Sequence, residues 1–165
     1  FGVNDFFKVP EPLIQKQFSR IMSLKDGLKK MSKSDLTELR RINLTDKKDE
    51  IINKIKKSKT DPLPLPASSD ELVDRPEAKN LLGIYSSISN ISLDKSINEF
   101  NGKNFSEFKE KLSQVLVEKL EPISSEIKRL TEDKSFLDKI LLEGQKKAKD
   151  SASKKLKKMQ EIVGF

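Results

Sequence analysis

Residues 61–66, Asp-Pro-Leu-Pro-Leu-Pro, set the strongest constraint on this chain. Three prolines in five residues exclude a helix and hold the backbone extended, because each ring fixes φ, removes an N–H and disfavours the helical region for the residue before it. The segment reads as a linker or a strap. On either side of it the apolar residues recur at helical spacing, so the chain is read as helices before and after an extended crossing.

Downstream, Pro76 stands where the first turn of a helix tolerates proline, and Leu81, Ile84, Tyr85 and Ile88 share one face. Ser92 can cap a short helix carrying Leu93, Ile97 and Phe100, with Gly102 ending it. Asn104 then opens the longest helix, whose stripe is Phe105, Phe108, Leu112, Val115, Leu116 and Leu120. Pro122 should kink it before Ile123, Ile127 and Leu130 continue the face. Two more helices are expected: one with Phe136, Leu137, Ile140 and Leu141, the other after Gly144 with Ala148, Ala152, Leu156, Met159 and Val163. Their regular spacing assigns the Phe and Met residues to a core rather than to stacking surfaces.

Upstream, a helix is expected over residues 46–58, capped by Thr45 and carrying Ile51, Ile52 and Ile55. Lys54, Lys56, Lys57 and Lys59 fall near its C-terminal end, where the helix dipole favours cations without any further role. Residues 1–24 contain Pro10 and Pro12 and read as irregular, ending in a short strand at residues 21–24.

Between strand and helix lies the stretch richest in chemistry, Lys30-Met31-Ser32-Lys33-Ser34, just after Asp26-Gly27. It reads as a mobile loop whose two ammonium groups can meet one polyphosphate. Lysine suits this as a compact charge on a flexible stem. The serines can add hydrogen bonds to phosphate oxygens, and Gly27 lets the backbone turn.

Histidine and cysteine are both absent, which removes Ser-His-Asp and Cys-His nucleophiles, thiolate chemistry and an ordinary structural zinc site. Acid/base work would fall to carboxylates, lysines or Tyr85. The lack of cysteine fits a reducing compartment. No apolar run approaches the ~18 residues of a membrane span, so a cytoplasmic protein without membrane contact is expected.

The net charge of +7 is unevenly spread: residues 1–60 carry 15 basic and 8 acidic side chains, residues 61–145 carry 11 and 16, and residues 146–165 carry 7 and 2. Basic ends around an acidic middle are compatible with phosphate or RNA contacts near both ends, not with uniform coating of a nucleic acid. Lysine is abundant throughout, so the run from Lys146 to Lys158 reads equally as a solvated face.

The loop Lys30 to Ser34 resembles the second signature of class I aminoacyl-tRNA synthetases, and its flanks are similar to the tryptophanyl branch. Those flanks are Arg20-Ile21-Met22-Ser23-Leu24 and Arg41-Ile42-Asn43-Leu44-Thr45-Asp46. Asn80-Leu81-Leu82-Gly83-Ile84-Tyr85 and Val117-Glu118-Lys119-Leu120-Glu121-Pro122-Ile123 extend the resemblance over essentially the whole chain. The tyrosyl branch shares the loop's role, usually with Phe and Gly in place of Met and Ser. Leu36 stands where the family often has proline and Leu28 where it often has a small or polar residue; neither change removes a phosphate-binding group.

The resemblance implies a mainly α chain: residues 1–43 as the end of a class I Rossmann-type nucleotide-binding domain, and residues 44–165 as a helical bundle binding the tRNA anticodon. It implies ATP-dependent activation of tryptophan to the adenylate, with Mg2+ accompanying ATP, and transfer to tRNA(Trp). Lys30 and Lys33 would be catalytic, and Ile21, Met22, Lys30, Met31, Ser32, Lys33 and Ser34 would bind ATP, with Ile21 and the Met22 backbone along the adenine. The first signature normally carries two histidines and cannot be present, so a C-terminal half is expected, with most of the L-tryptophan pocket elsewhere and no activity of its own. Relatives are dimers, which implies a homodimer at full length. The alternatives are another class I synthetase such as the tyrosyl enzyme, a non-catalytic helical tRNA-binding module, and a protein-interaction module with an incidental lysine loop.

Overall fold

A computed structural model describes residues 6–14 and 18–164. Its elements are β1 Met22–Ser23, β2 Asp26–Lys30, α1 Lys48–Lys56, α2 Pro76–Ser89, α3 Leu93–Phe100, α4 Phe105–Glu132 and α5 Lys134–Val163. The chain is mainly α, as its apolar spacing indicates. The irregular run expected at the start is found at residues 6–14 and 18–20; its residues 1–5 and 15–17 lie outside the described residues. Ile14–Glu126 forms one compact unit, and residues 6–13 with those from 127 onward form another.

The first unit is built around α2. Pro76 occupies the first turn of that helix, and Asn90, at φ 54°, ends it in the left-handed conformation that asparagine tolerates. Leu81, Leu82, Ile84 and Tyr85 are buried, and the helix packs on β2 and α3. Ser92 caps α3 by accepting from the Lys95 N–H at 3.3 Å. Asn104 accepts from the Glu107 N–H at 2.9 Å and starts α4. The rings of Tyr85, Phe100 and Phe108 meet edge to face, with centroids 4.8 to 6.0 Å apart.

The proline segment is a strap. Leu65 and Pro66 are buried, the Leu65 N–H donates to the Lys103 carbonyl at 2.9 Å, and the Gly102 N–H donates back to Leu65 at 3.2 Å. Arg75 grips Asp61 through two nitrogens at 3.0 and 2.6 Å, which fixes the strap's entrance to the start of α2.

Four local expectations are corrected. Lys47, not Thr45, precedes α1, and the Glu50 carboxylate accepts from its N–H at 2.7 Å; Asp46 is instead buried against Lys54. Lys54 is therefore no solvated helix-end charge. The carbonyls at the end of α1 are met from outside by Lys25, which donates to Lys57, and by Lys109, which donates to Ser58 at 2.7 Å and Lys56 at 3.3 Å.

Gly144 does not separate two helices, since α5 runs unbroken through it; an interior glycine costs only about 1 kcal/mol, which a helix with strong formers on both sides absorbs. Asp133 caps α5 by accepting from the Phe136 N–H at 3.0 Å. The apolar residues Phe136, Ile140, Leu141, Leu156, Met159 and Val163 are exposed on it rather than forming the expected core. Within the same unit the Lys155 ammonium sits 3.8 Å above the Phe6 ring.

Candidate phosphate-binding loop

The stretch read as a mobile loop starts on a strand: Lys30 is the last residue of β2, and residues 31–34 lie beyond it. β1 and β2 pair antiparallel, with Met22 opposite Lys30, Ser23 opposite Asp26 and a bulge between Met22 and Ser23. The Met31 N–H donates to the Ile21 carbonyl at 2.9 Å, so the ladder continues one residue past Lys30. Lys30 thus leaves a fixed strand end, and only Lys33 and Ser34 form a turn, closed by the Asp35 N–H on the Ser32 carbonyl at 3.3 Å.

Side chains sort by height above this frame. Met31 is half-buried against the core, whereas Lys30, Lys33 and Ser34 are exposed. The Ser32 and Ser34 hydroxyls lie 3.1 Å apart. Among the described residues neither Lys30 nor Lys33 has an ion-pair partner, so both ammonium groups are open to an anion. Ile21 is exposed beside them, while Met22 is half-buried.

Helix α2 holds the hairpin from below. Asn80 accepts from the Met22 N–H at 2.8 Å and donates to the Met22 carbonyl at 2.8 Å, so this one amide occupies both polar groups of the strand residue. Gly27 lies so close to the first turn of α2 that a Cβ there would come within 2.6 Å of the Pro76 carbonyl carbon. Its role is close approach of two backbones, which any side chain would prevent.

Charge reinforces that docking. The Leu28 N–H donates to Asp26 at 3.1 Å and, with Lys29 and Lys59 nearby, holds its carboxyl below the usual range against the opposing effect of desolvation. Glu77 is pulled down chiefly by Lys59, 2.7 Å away, whose own ammonium is correspondingly stabilised.

The remaining acid/base candidate is removed. Tyr85 is buried, donates to Glu99 at 2.9 Å, and is pushed up to about 12, first by burial and then by that carboxylate. A phenol so placed exchanges no proton near neutral pH. Among the described residues no cluster of three carboxylates could hold a metal. The loop can bind and orient phosphate through ammonium and hydroxyl groups.

Asn80 and the pair of Lys54 and Asp46 escaped the sequence reading. Their signal was a polar residue on an apolar face: Asn80 lies four before Ile84, and Lys54 lies three after Ile51 and beside Ile55.

The family whose profile matches residues 1–121 is described as tRNA synthetases class I (W and Y). The chain is 45% identical over 163 residues to the tryptophan–tRNA ligase of Rhizobium meliloti, covering 99% of this chain and 46% of that protein. It is 47% identical over 162 residues to the tryptophan–tRNA ligase of Rickettsia felis, covering 98% and 48%. Its fold is similar to that in the crystal structure of tryptophanyl-tRNA synthetase from Mycoplasma pneumoniae, with a TM-score of 0.73 and 25% identity over 92% of this chain and 45% of that one. The chain spans about half the length of the curated relatives it matches.

Proposed function

The chain belongs to the class I tRNA synthetases of the W and Y type, and from that premise we propose that it is the C-terminal part of a tryptophan–tRNA ligase. The observation that carries the reading is the lysine loop itself. Lys30 and Lys33 stand open to an anion on a hairpin whose backbone is fixed by Asn80 and Gly27.

The reaction is activation of tryptophan by ATP to tryptophanyl-adenylate, followed by transfer to tRNA(Trp). Lys30 and Lys33 meet the β- and γ-phosphates and stabilise the charge that grows as pyrophosphate leaves, which is positioning plus electrostatics. Ser32 and Ser34 hydrogen-bond phosphate oxygens. Ile21 and the Met22 backbone border the adenine, and Met31 supports the loop from the core side. Asn80 holds the Met22 N–H and carbonyl and so fixes this edge of the adenine site, and the carbonyl oxygen keeps a second lone pair for the base.

Magnesium would accompany ATP and offset phosphate charge, and the loop would not hold it, since its ammonium groups pair with phosphate and cannot ligate a cation. In the division of labour residues 1–43 serve ATP, and residues 44–165 serve the tRNA anticodon. The full-length ligase works as a homodimer in the cytoplasm. Among the described residues no helix is long and apolar enough to cross a membrane.

Tryptophan-dependent ATP–pyrophosphate exchange by a full-length ligase containing this chain tests the proposal. Exchange with tryptophan and none with tyrosine is expected; the reverse would move the chain to the tyrosyl branch. The 165-residue chain alone should show neither, because most of the amino-acid pocket is expected outside it.

A further inference from the structure

A buried lysine on α1 is connected to the exit of the lysine loop through a continuous set of charged and polar groups. Lys54 is only 6% exposed and its Nζ lies 2.5 Å from the carboxylate of Asp46, itself 7% exposed, and 3.7 Å from Glu38. The Asp46 carboxylate accepts from the Asn43 N–H at 2.9 Å, and the Asn43 amide donates both to Asp46 and to Glu38 at 3.1 Å. Arg41 pairs with Glu38, donates to the Asn43 side chain at 3.1 Å and reaches the Asp35 carbonyl at 2.5 Å. Asp35 is the residue that follows Ser34.

Stability alone does not account for this arrangement. A buried ion pair replaced by neutral groups of similar volume often leaves stability unchanged or higher, because desolvation of both charges offsets their attraction. What the charged set supplies is geometry. Arg41 holds three acceptors with a planar fork, and a fork fixes directions that a point charge does not. The upstream side of the loop is already fixed by the hairpin, so the position of Lys33 depends on where Asp35 is held.

Resting on the functional reading above, we propose that Arg41 and Lys54 are positioning residues for adenylate formation: acting through Asp46, Asn43 and Glu38, they fix the Asp35 carbonyl and thereby the place of the Lys33 ammonium. Neither touches substrate. Their effect is exerted on Lys33, and it vanishes when Lys33 is removed.

That dependence supplies the test. In a full-length ligase containing this chain, Arg41→Lys keeps the charge and loses the fork. The kcat of tryptophan-dependent pyrophosphate exchange should fall about tenfold while KM for tryptophan stays unchanged. In a Lys33→Ala background the same substitution should change the rate by less than about twofold, because two residues acting through one group are not additive. Asp46→Asn combined with Lys54→Met removes both buried charges and leaves an acceptor for the Asn43 N–H; it should keep the parent melting temperature and show the same background-dependent loss. Equal losses in both backgrounds, or no loss in the parent when Lys33→Ala itself is slow, would overturn the inference and leave the lysine-loop reading standing. A Lys33→Ala enzyme at the parent rate would overturn both.

Discussion

Asn80 and Met22, 58 residues apart, exchange two hydrogen bonds of 2.8 Å, the Asn80 amide accepting from the Met22 N–H and donating to its carbonyl. A strand of two residues has few ladder bonds of its own, and this side chain completes them. The hairpin carrying Lys30 therefore stands on α2, whose own position is set by the apolar residues Leu81, Leu82 and Ile84. Core packing and loop placement are joined at one amide.

Replacing that amide should be costly. Asn80→Leu keeps the branched shape but leaves two backbone groups without partners, a loss of about 2 kcal/mol. Asn80→Asp retains the acceptor for the Met22 N–H and lacks the donor, so it should fall between. Urea unfolding of the 165-residue chain, read as a change in midpoint at constant slope, checks the order parent, Asp, Leu.

Two glycines should respond in opposite directions. Gly27→Ala drives a methyl into the backbone of Pro76 and Glu77 and should destabilise by about 1 to 3 kcal/mol, with the hairpin displaced from α2. Gly144→Ala meets nothing within 4 Å inside α5 and should stabilise that helix by about 1 kcal/mol. Thermal melts together with amide exchange at residues 22–30 separate the two; a neutral Gly27→Ala would contradict the close approach.

Acid should release the hairpin early. Asp26 and Glu77 both titrate below their ordinary values in the folded chain, so the folded state binds fewer protons than the unfolded one. Their contribution is complete above the unfolded carboxylate pKa, about pH 4, and is lost as pH falls through the lower folded values. Protection factors of the amides at residues 22–30, taken against the intrinsic exchange rate at each pH, should fall on acidification below about pH 4, and Glu77→Gln should shorten that response. Unchanged protection down to global unfolding would sink this part of the account.

The helices were legible where one rule decided the outcome. Ser92 and Asn104 cap as their chemistry requires, Pro76 sits in a first turn, and the stripe of Phe108, Leu112 and Leu116 is buried. Reading failed where a distant residue decided. Nothing local to residues 26–30 makes them a strand; Asn80 and the first turn of α2 do so from fifty residues away. Lys54 fitted a helix-end charge by position, and its burial depends on Asp46 turning inward before α1. On α5 the apolar spacing correctly indicated a helix but not a buried one, since period reports a face and not what covers it.

The two loop lysines are the centre of the account, and the rate of adenylate formation in a full-length ligase containing this chain addresses them most directly. Single-turnover measurement on Lys33→Ala should show a fall of about 10²- to 10³-fold, with tryptophan binding little changed, because the ammonium interacts best with charge that develops only as pyrophosphate departs. Arg at position 33 should rescue incompletely, since a planar fork presents its donors differently. Lys57→Ala, at an exposed side chain on the end of α1, controls for loss of general positive field. A folded Lys33→Ala enzyme that forms adenylate as fast as the Lys57→Ala control would contradict the account.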